Sequence, residues 1–379
     1  MFAVLIPAAV LTLVGLIVLW PGGVTEAPVD DGGQRASGEV TAISEQACPP
    51  DAGAPPCGTA AVRVTTGPGA GSTTIVDLPQ GPGAPRLSVG DDVVLLYFPD
   101  AVPGGRVYSV IDQQRGMPLV VLIALAVAVI VAFGRWRGLT SLAGLAVSFL
   151  VLLFFVLPAI LDGSPPLLVA VVGAAAIMFA ALYLTHGVNT HTSVAVAGTL
   201  ASLVLTGLLG TAFTALLSLS GVGSDDAAYL SATRANLDTR GLLLAGIVIG
   251  ALGVLDDVTV TQAVTVGEMA AAGRSSRREL YASAIRVGRA HVGSAVNTIV
   301  LAYAGASLPL LLLIAATDQP LGQLLTSELI VQEILRSAVG TIGLVASVPI
   351  TTALATLVAD LRPGAAGRHP VRGHARHAR

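Results

Sequence analysis

Two adjacent carboxylates, Asp256 and Asp257, follow the apolar run "GLLLAGIVIGALG" and are the side chains in this sequence best placed for chemistry. An aspartate near the middle of a membrane helix costs about 2.5 to 3.5 kcal/mol on insertion, so two cost roughly 5 to 7 kcal/mol. Carboxylates kept in a membrane need partners, and they commonly mark ion or proton pathways. We interpret the pair as a binding site for a small cation, a proton or another small solute.

Further oxygen-bearing side chains continue from this pair at helical spacing. Asp257, Thr261, Thr265 and Glu268 fall within about 80° of one another on a helix with 100° per residue. Such a stripe suits a hard cation or a proton relay. A structural alternative is a helix that breaks near Gly253, so that Asp256 caps the second half and Asp257 meets the helix dipole.

Two other polar segments interrupt the apolar sequence. "THGVNTHTS" contains His186 and Asn189, and "HVGSAVNT" contains His291 and Asn297. We expect His291 and Asn297 to belong, with Thr261, Thr265 and Glu268, to the polar shell around the aspartates. The first segment, with binding residues His186 and Asn189, would form the cytoplasmic mouth of the pathway, where His186 or His191 is a proton carrier or ligand. The alternatives are a polar turn for the first segment and an interhelical hydrogen bond for the second.

The composition identifies an integral membrane protein. Hydrophobic residues make up 54% of the 379, charged residues 11%, and the mean hydropathy is +0.80, whereas a soluble domain carries about 25% charge. The fold class expected is an all-α polytopic membrane bundle of eight helices with a small extracytoplasmic β-barrel-like domain after the first. After an anchor at 1–20, the spans are predicted at 118–133, 139–161, 166–185, 193–219, 241–262, 292–316 and 336–358.

The chain divides by composition into five regions. The anchor at 1–20 has no obvious cleavage site after it, and a cleaved signal peptide is the alternative. A linker at 21–37 leads to a β domain at 38–115, where five short β-type runs alternate with turn residues. A seven-helix membrane domain is predicted at 118–360, and a disordered tail at 361–379.

The arginines and the cysteines independently predict the same orientation. With the N-terminus inside, twelve arginines lie on the cytoplasmic side and four on the other side after the β domain. Residues 21–115 are then extracytoplasmic, where Cys48 and Cys57 would form a disulfide closing a short loop. Both termini are predicted to be cytoplasmic.

An amphipathic segment precedes the span at 292–316. In "SRRELYASAIRVGRA", Ser276 and Glu279 match a capping box, and Leu280, Ala284 and Val287 form an apolar stripe. The arginines suit anionic lipid. We expect a short helix that lies on the inner membrane surface.

Three segments resemble the YibE/F family of bacterial membrane proteins. They are "GALGVLDDVTVTQAVTVGEM", "RELYASAIRVGRAHVGSAVNTIVLAYAGASLPLLL" and "THGVNTHTSVAVAGTL", and the likeness extends over about 118–360. The resemblance implies a polytopic protein of the bacterial plasma membrane. It assigns no reaction and no functional residues.

The function expected is transport, or support of transport, of a small solute or cation. No catalytic set, no strong metal motif and no nucleotide-binding G-x-x-x-x-G-K-[ST] motif is present in the sequence, so no enzyme is predicted. The sequence does not identify a cofactor, and a bound cation is the candidate. The expected partners are the lipid bilayer and the small solute or ion, with no nucleic acid. The rival hypothesis is a scaffold whose β domain recruits an envelope protein or a second copy of the chain.

Overall fold

A computed structural model describes residues 2–22, 33–46, 57–80, 84–99, 107–234, 237–272, 276–316 and 320–359. The chain divides into two compact units, one formed by Ala27–Phe133 and the other by Met1–Glu26 together with Gly134–Arg379. Cys48 and the predicted tail at 361–379 lie outside the described residues.

The first unit contains an open antiparallel sheet. Its strands are β1 (Gln34–Gln46), β2 (Cys57–Thr66), β3 (Thr73–Asp77), β4 (Asp92–Tyr97) and β5 (Tyr108–Gln113), in the spatial order β3-β2-β1-β4-β5. The five predicted strands are therefore present. The barrel-like closure was wrong, because the described edge strands β3 and β5 do not pair with each other.

The long first strand lies at the centre of the sheet. Its residues 34–39 pair with β4, its residues 37–46 pair with β2, and register shifts occur after Ser37 and Val40. Such irregularities bend a strand and increase its twist. Alternation places Val62 and Val64 in the core of the sheet, while Arg63 faces outward and forms an ion pair with Glu39.

The second unit is helical. Its elements are α1 (Phe2–Val18), the later part of α2 (Gly116–Val151), a π-helical segment (Leu152–Val156), α3 (Leu157–Leu161), α4 (Pro166–His186), α5 (Thr190–Leu216), α6 (Asp225–Thr233), α7 (Thr239–Ala271), α8 (Arg277–Ala306), α9 (Leu308–Ala315), α10 (Leu321–Leu325) and α11 (Glu328–Val358). Arg135 interrupts α2 with non-helical dihedrals, φ 50° and ψ −128°.

Within the described residues, five helical segments are long and apolar enough to cross a membrane. They are Gly116–Leu161, Pro166–His186, Thr190–Leu216, Thr239–Ala271 and Glu328–Val358, and Ala3–Val18 is a shorter apolar helix. The first segment has 46 residues, which at about 1.5 Å per residue exceeds one crossing of a ~30 Å hydrocarbon core. The structure thus supports a mostly helical membrane protein.

The structure contradicts one alternative and one expectation for the helices. The alternative of a break near Gly253 was wrong, because α7 is continuous for 33 residues and its N-cap is Asp238. The arginine-rich segment is not a separate surface helix, because it forms the first half of the continuous α8. The predicted Ser276 cap is present, with its hydroxyl accepting the Glu279 N–H at 3.3 Å, and Leu280 is buried.

The crossing of α5 with α11 is built from a motif that occurs in both helices. Residues 198–206 read "GTLASLVLT" and residues 343–351 read "GLVASVPIT". A Cβ atom on Gly198 would collide with Thr351 Oγ1, and one on Gly343 would collide with Thr206 Oγ1. Because the contacts run in opposite directions, the helices are antiparallel and the crossing has a local two-fold relation.

We expect Gly198→Ala to destabilise the protein by about 1 to 3 kcal/mol, since the added methyl group overpacks the contact with Thr351. Gly207→Ala on the same helix is the matched control, because the nearest atom to its Cβ position is 4.0 Å away. Thermal unfolding in detergent measures both variants, and adding Thr351→Ala should restore part of the loss. Equal melting temperatures for the two single variants would contradict the close crossing.

Candidate functional site

The aspartate pair lies near the midpoint of α7. The helix runs from Thr239 to Ala271 without interruption, so each backbone N–H near the pair is engaged in the helix itself and offers the carboxylates nothing. Asp256 is half-buried and Asp257 is exposed. Stabilisation of these carboxylates must therefore come from neighbouring helices or from a bound species.

A cavity of about 390 Å³ opens beside the pair, between the later part of α2, α4 and α7, and we call it the aspartate cleft. Small residues make room for it, among them Gly144, Ala181 and Gly253. Its polar lining consists of Ser141, Ser148, Thr185, His186, Asp256, Asp257 and Thr261. The cleft therefore combines two carboxylates with hydroxyl groups and one imidazole.

The hydrogen bonds leave one carboxylate oxygen of the cleft without a partner. Ser148 Oγ donates to the Gly144 carbonyl at 3.0 Å, and Thr259 Oγ1 donates to the Asp256 carbonyl at 3.1 Å. Among the described residues, Asp256 Oδ1 is buried and accepts no hydrogen bond. A buried acceptor without a donor is costly, and a proton or a cation would satisfy it.

The structure brings His186 to the aspartates although about 70 residues separate them in sequence. His186 is the last residue of α4. Asn189 does not line the cleft, and its ligand role stays a prediction. Its Oδ1 accepts the Thr192 N–H at 2.8 Å as the N-cap of α5, and its Nδ2 donates to the His186 carbonyl at 2.8 Å. Asn189 thus holds the turn that follows His186.

The remaining predicted site residues lie outside the lining of the cleft. Thr265 donates to the Thr261 carbonyl at 2.7 Å, and Glu268 is exposed further along α7. On α8, Asn297 is exposed, and His291 Nε2 is buried without a hydrogen-bond partner among the described residues. The ligand role of these four residues stays a prediction, as does that of the residues in the cleft.

The hydroxyl groups contributed by α2 were missed at the level of sequence. Ser141, Gly144 and Ser148 are spaced i, i+3 and i+7 within an otherwise apolar segment, which places them on one face of a helix. That spacing could have identified a polar helix face from the sequence. It does not reveal which helix the face contacts, so only the fold connects it with Asp256.

Contacts with α5 and α11 fix the level of the aspartates in the helical unit. The Thr199 and Thr259 hydroxyls lie 2.7 Å apart, and Gln262 Nε2 donates to Thr352 Oγ1 at 2.7 Å. Relative to α7, α5 runs antiparallel and α11 runs parallel. Counting residues along the helices from these two contacts places Asp256 at the same height as Ser202 and Ser347. Those two serines are the central residues of the repeated motif in the crossing.

Several long apolar helices define a mostly helical membrane protein, and one of them carries a carboxylate pair beside a polar cleft. Residues 122–361 match the model of the family described as YibE/F-like protein. Because the match covers more than half of the chain, the protein belongs to the YibE/F-like family, as its sequence motifs predicted. No curated protein and no solved structure matched the chain.

We expect Asp256→Asn to raise the melting temperature at neutral pH, because it removes a charge from an oxygen that has no donor among the described residues. The gain should correspond to about 1 kcal/mol. Asp257→Asn is the matched control and should change stability less, since Asp257 is exposed. A clear loss of stability in Asp256→Asn, measured in ion-free detergent buffer, would show that the carboxylate already has a partner.

Proposed function

We propose that this protein is a membrane transporter, or a component of one, for a small solute or cation, the proton included. The observation that carries the proposal is the unpartnered Asp256 Oδ1 in the aspartate cleft, near the middle of a continuous apolar helix. A bound cation or proton at this oxygen offsets the cost of holding the carboxylates in a membrane. The proposal includes no catalytic step.

The chemistry of the cleft supports a cation more than an anion or an apolar solute. Carboxylate and hydroxyl oxygens are the ligands that hard cations prefer, and both are present around Asp256. The His186 imidazole in the lining of the cleft adds a nitrogen that can bind a proton or a metal cation. Thr261 contributes a further oxygen from the next turn of α7.

The inverted relation of α5 and α11 supports transport over static binding. Many secondary transporters bind their substrate near the bilayer midplane, between repeats of opposite orientation. Here α5 and α11, which each carry one copy of the Gly-Ser-Thr motif, cross at Ser202 and Ser347, and both serines are level with Asp256. We infer that the crossing is a local inverted repeat and that the cleft opens toward one side of the membrane at a time.

We further propose the topology that the arginines predict. The protein would cross the bacterial plasma membrane eight times, with two crossings in Gly116–Leu161 on either side of Arg135 and one in α8. Both termini would be cytoplasmic and residues 21–115 extracytoplasmic. A disulfide between Cys48 and Cys57 would then close the loop before β2 in an oxidising compartment.

The scaffold hypothesis is the second candidate, and one observation favours it. In the described sheet β3 and β5 stand at the two ends of the strand order, and a strand at the end of a sheet can accept an added strand from a partner. Under this hypothesis the β unit recruits an envelope protein or a second copy of the chain. The intramembrane carboxylates would then have no transported ligand.

The test measures thermal stability of the purified protein across monovalent cations, divalent cations and pH, because a ligand that binds only the folded state raises its stability. We expect a rise with one ion or with acidification that is lost in Asp256→Asn and Asp257→Asn. Glu279→Gln, an equal charge change at an exposed position in the first turn of α8, is the control. Flux of that ion into proteoliposomes should fall at least tenfold in the two aspartate variants. Stability and flux that are unaffected by ions, by pH and by these substitutions would instead support the scaffold.

A further inference from the structure

A second polar cluster lies in the helical unit outside the aspartate cleft. It consists of Tyr303 on α8 with Glu333 and Arg336 on α11, and we call it the Arg336 cluster. Arg336 Nη1 donates to Glu333 Oε1 at 2.7 Å, and both side chains are 28% exposed. Among the described residues, Arg336 Nε is buried without a hydrogen-bond partner. The guanidinium therefore keeps a free donor beside its carboxylate.

This cluster lies over the same face of α7 that carries Asp257. Gly246, Gly250, Gly253 and Asp257 fall within about 60° of one another at 100° per residue, and all four are exposed. A Cβ atom on Gly250 would lie 3.0 Å from the Tyr303 hydroxyl, and one on Gly246 would lie 4.0 Å from Arg336 Nη2. The cluster is thus displaced from Asp257 by about 10 to 16 Å along the helix axis.

The stretch of α7 between the two polar groups is open. No described atom lies within 4 Å of the Cβ position of Gly253, which is one turn before Asp257 and also lines the aspartate cleft. Glycines at these positions leave the helix face without side chains of its own. A hydrated ion could therefore move along this face from the aspartates to Tyr303.

Beyond Tyr303 there is a second cavity. It has a volume of about 520 Å³, lies between α8, α9 and α11, and is lined by Tyr303 and Glu333 among mainly apolar residues. Tyr303 therefore contacts both the glycine face of α7 and this cavity. Tyr303 is therefore the described side chain that joins the glycine face to the second cavity.

We propose that the Arg336 cluster is the second polar site of the transport pathway, toward the N-terminal end of α7, and that its ion pair selects the charge of the ion that passes. This inference rests on the proposed function, because it extends the pathway that begins at Asp256 and Asp257. Tyr303 narrows the pathway at Gly250, Glu333 attracts cations, and Arg336 opposes them. A pair that served only to stabilise α11 as an i,i+3 contact would need no open glycine face beside it.

The test uses the rates at which membrane-impermeant thiol reagents of opposite charge modify Gly253→Cys in the full-length protein in liposomes. The parent chain reports the background from its own cysteines. Leu208→Cys is the control for lipid contact, because it is 66% exposed on an apolar face of α5. We expect both reagents to modify Gly253→Cys and neither to modify Leu208→Cys.

Charge substitutions then test the cluster itself. The measured quantity is the rate of Gly253→Cys modification by the cationic reagent divided by the rate with the anionic reagent. Arg336→Gln should raise this ratio about 3- to 10-fold, and Glu333→Gln should lower it by a similar factor. The effect is of this size because one charge at ~10 Å acts through a partly screened medium. The double variant Glu333→Gln with Arg336→Gln should return the ratio to the parent value. It also tests the inference if a lone buried charge prevents one single variant from folding. Arg278→Gln, an equal charge change at the start of α8, should leave the ratio unchanged.

Three outcomes separate this inference from the proposed function. Modification of Thr261→Cys without modification of Gly253→Cys would end the pathway at the aspartates and overturn the second site alone. Modification of Gly253→Cys with a ratio insensitive to Glu333 and Arg336 would also overturn the second site alone. No modification at either cysteine would show that the α7 face is covered, and both proposals would fail.

Discussion

The close approach of α5, α7 and α11 is the constraint on which the rest of the helical unit depends. Lipid tails are as apolar as the helices, so burial of apolar area does not drive helices together in a bilayer as it does in water. Packing must come from small residues and short polar groups. Gly198 and Gly343 permit contact with Thr351 and Thr206, and a methyl group at either glycine would collide.

The two central serines of this core combine small volume with satisfied hydrogen bonds, whereas the buried Thr351 Oγ1 has no hydrogen-bond partner among the described residues. Ser202 Oγ donates to the Gly198 carbonyl at 2.8 Å, and Ser347 Oγ donates to the Leu344 carbonyl at 2.7 Å. Because these bonds remain within each helix, the two serine hydroxyls are buried without an unpaired donor. Gln262 instead bonds across helices to Thr352 and to the Ala284 carbonyl, which ties α7 to both α11 and α8.

Features that depend on neighbouring residues could be predicted from the sequence, and features that depend on which strands or helices contact one another could not. The Ser276 cap and the alternation at Val62–Val64 depend on neighbours in sequence, and both are present. Closure of the sheet depends on which edges meet, and no residue pattern encoded that. Gly253 suggested a broken helix, yet α7 is continuous, because a break within a membrane exposes backbone groups that a helix satisfies.

The candidate site shows the same division. Asp256, Asp257 and Thr261 were evident as polar residues in apolar sequence, and the fold places them in one cleft with His186. Ser141 and Ser148 were not singled out, because their chemistry is ordinary for a membrane helix and only their contact with α7 gives it meaning.

The exposed glycines of α7 lie between the aspartate cleft and the Arg336 cluster. Each one costs helix stability, about 1 kcal/mol relative to alanine, and Gly246, Gly250 and Gly253 are exposed. Gly250 admits the close approach of Tyr303, since a Cβ atom there would lie 3.0 Å from the tyrosine hydroxyl, whereas Gly253 lines the aspartate cleft. The three glycines thus lie on the face of α7 that also carries Asp257, which is the arrangement that the proposed pathway requires.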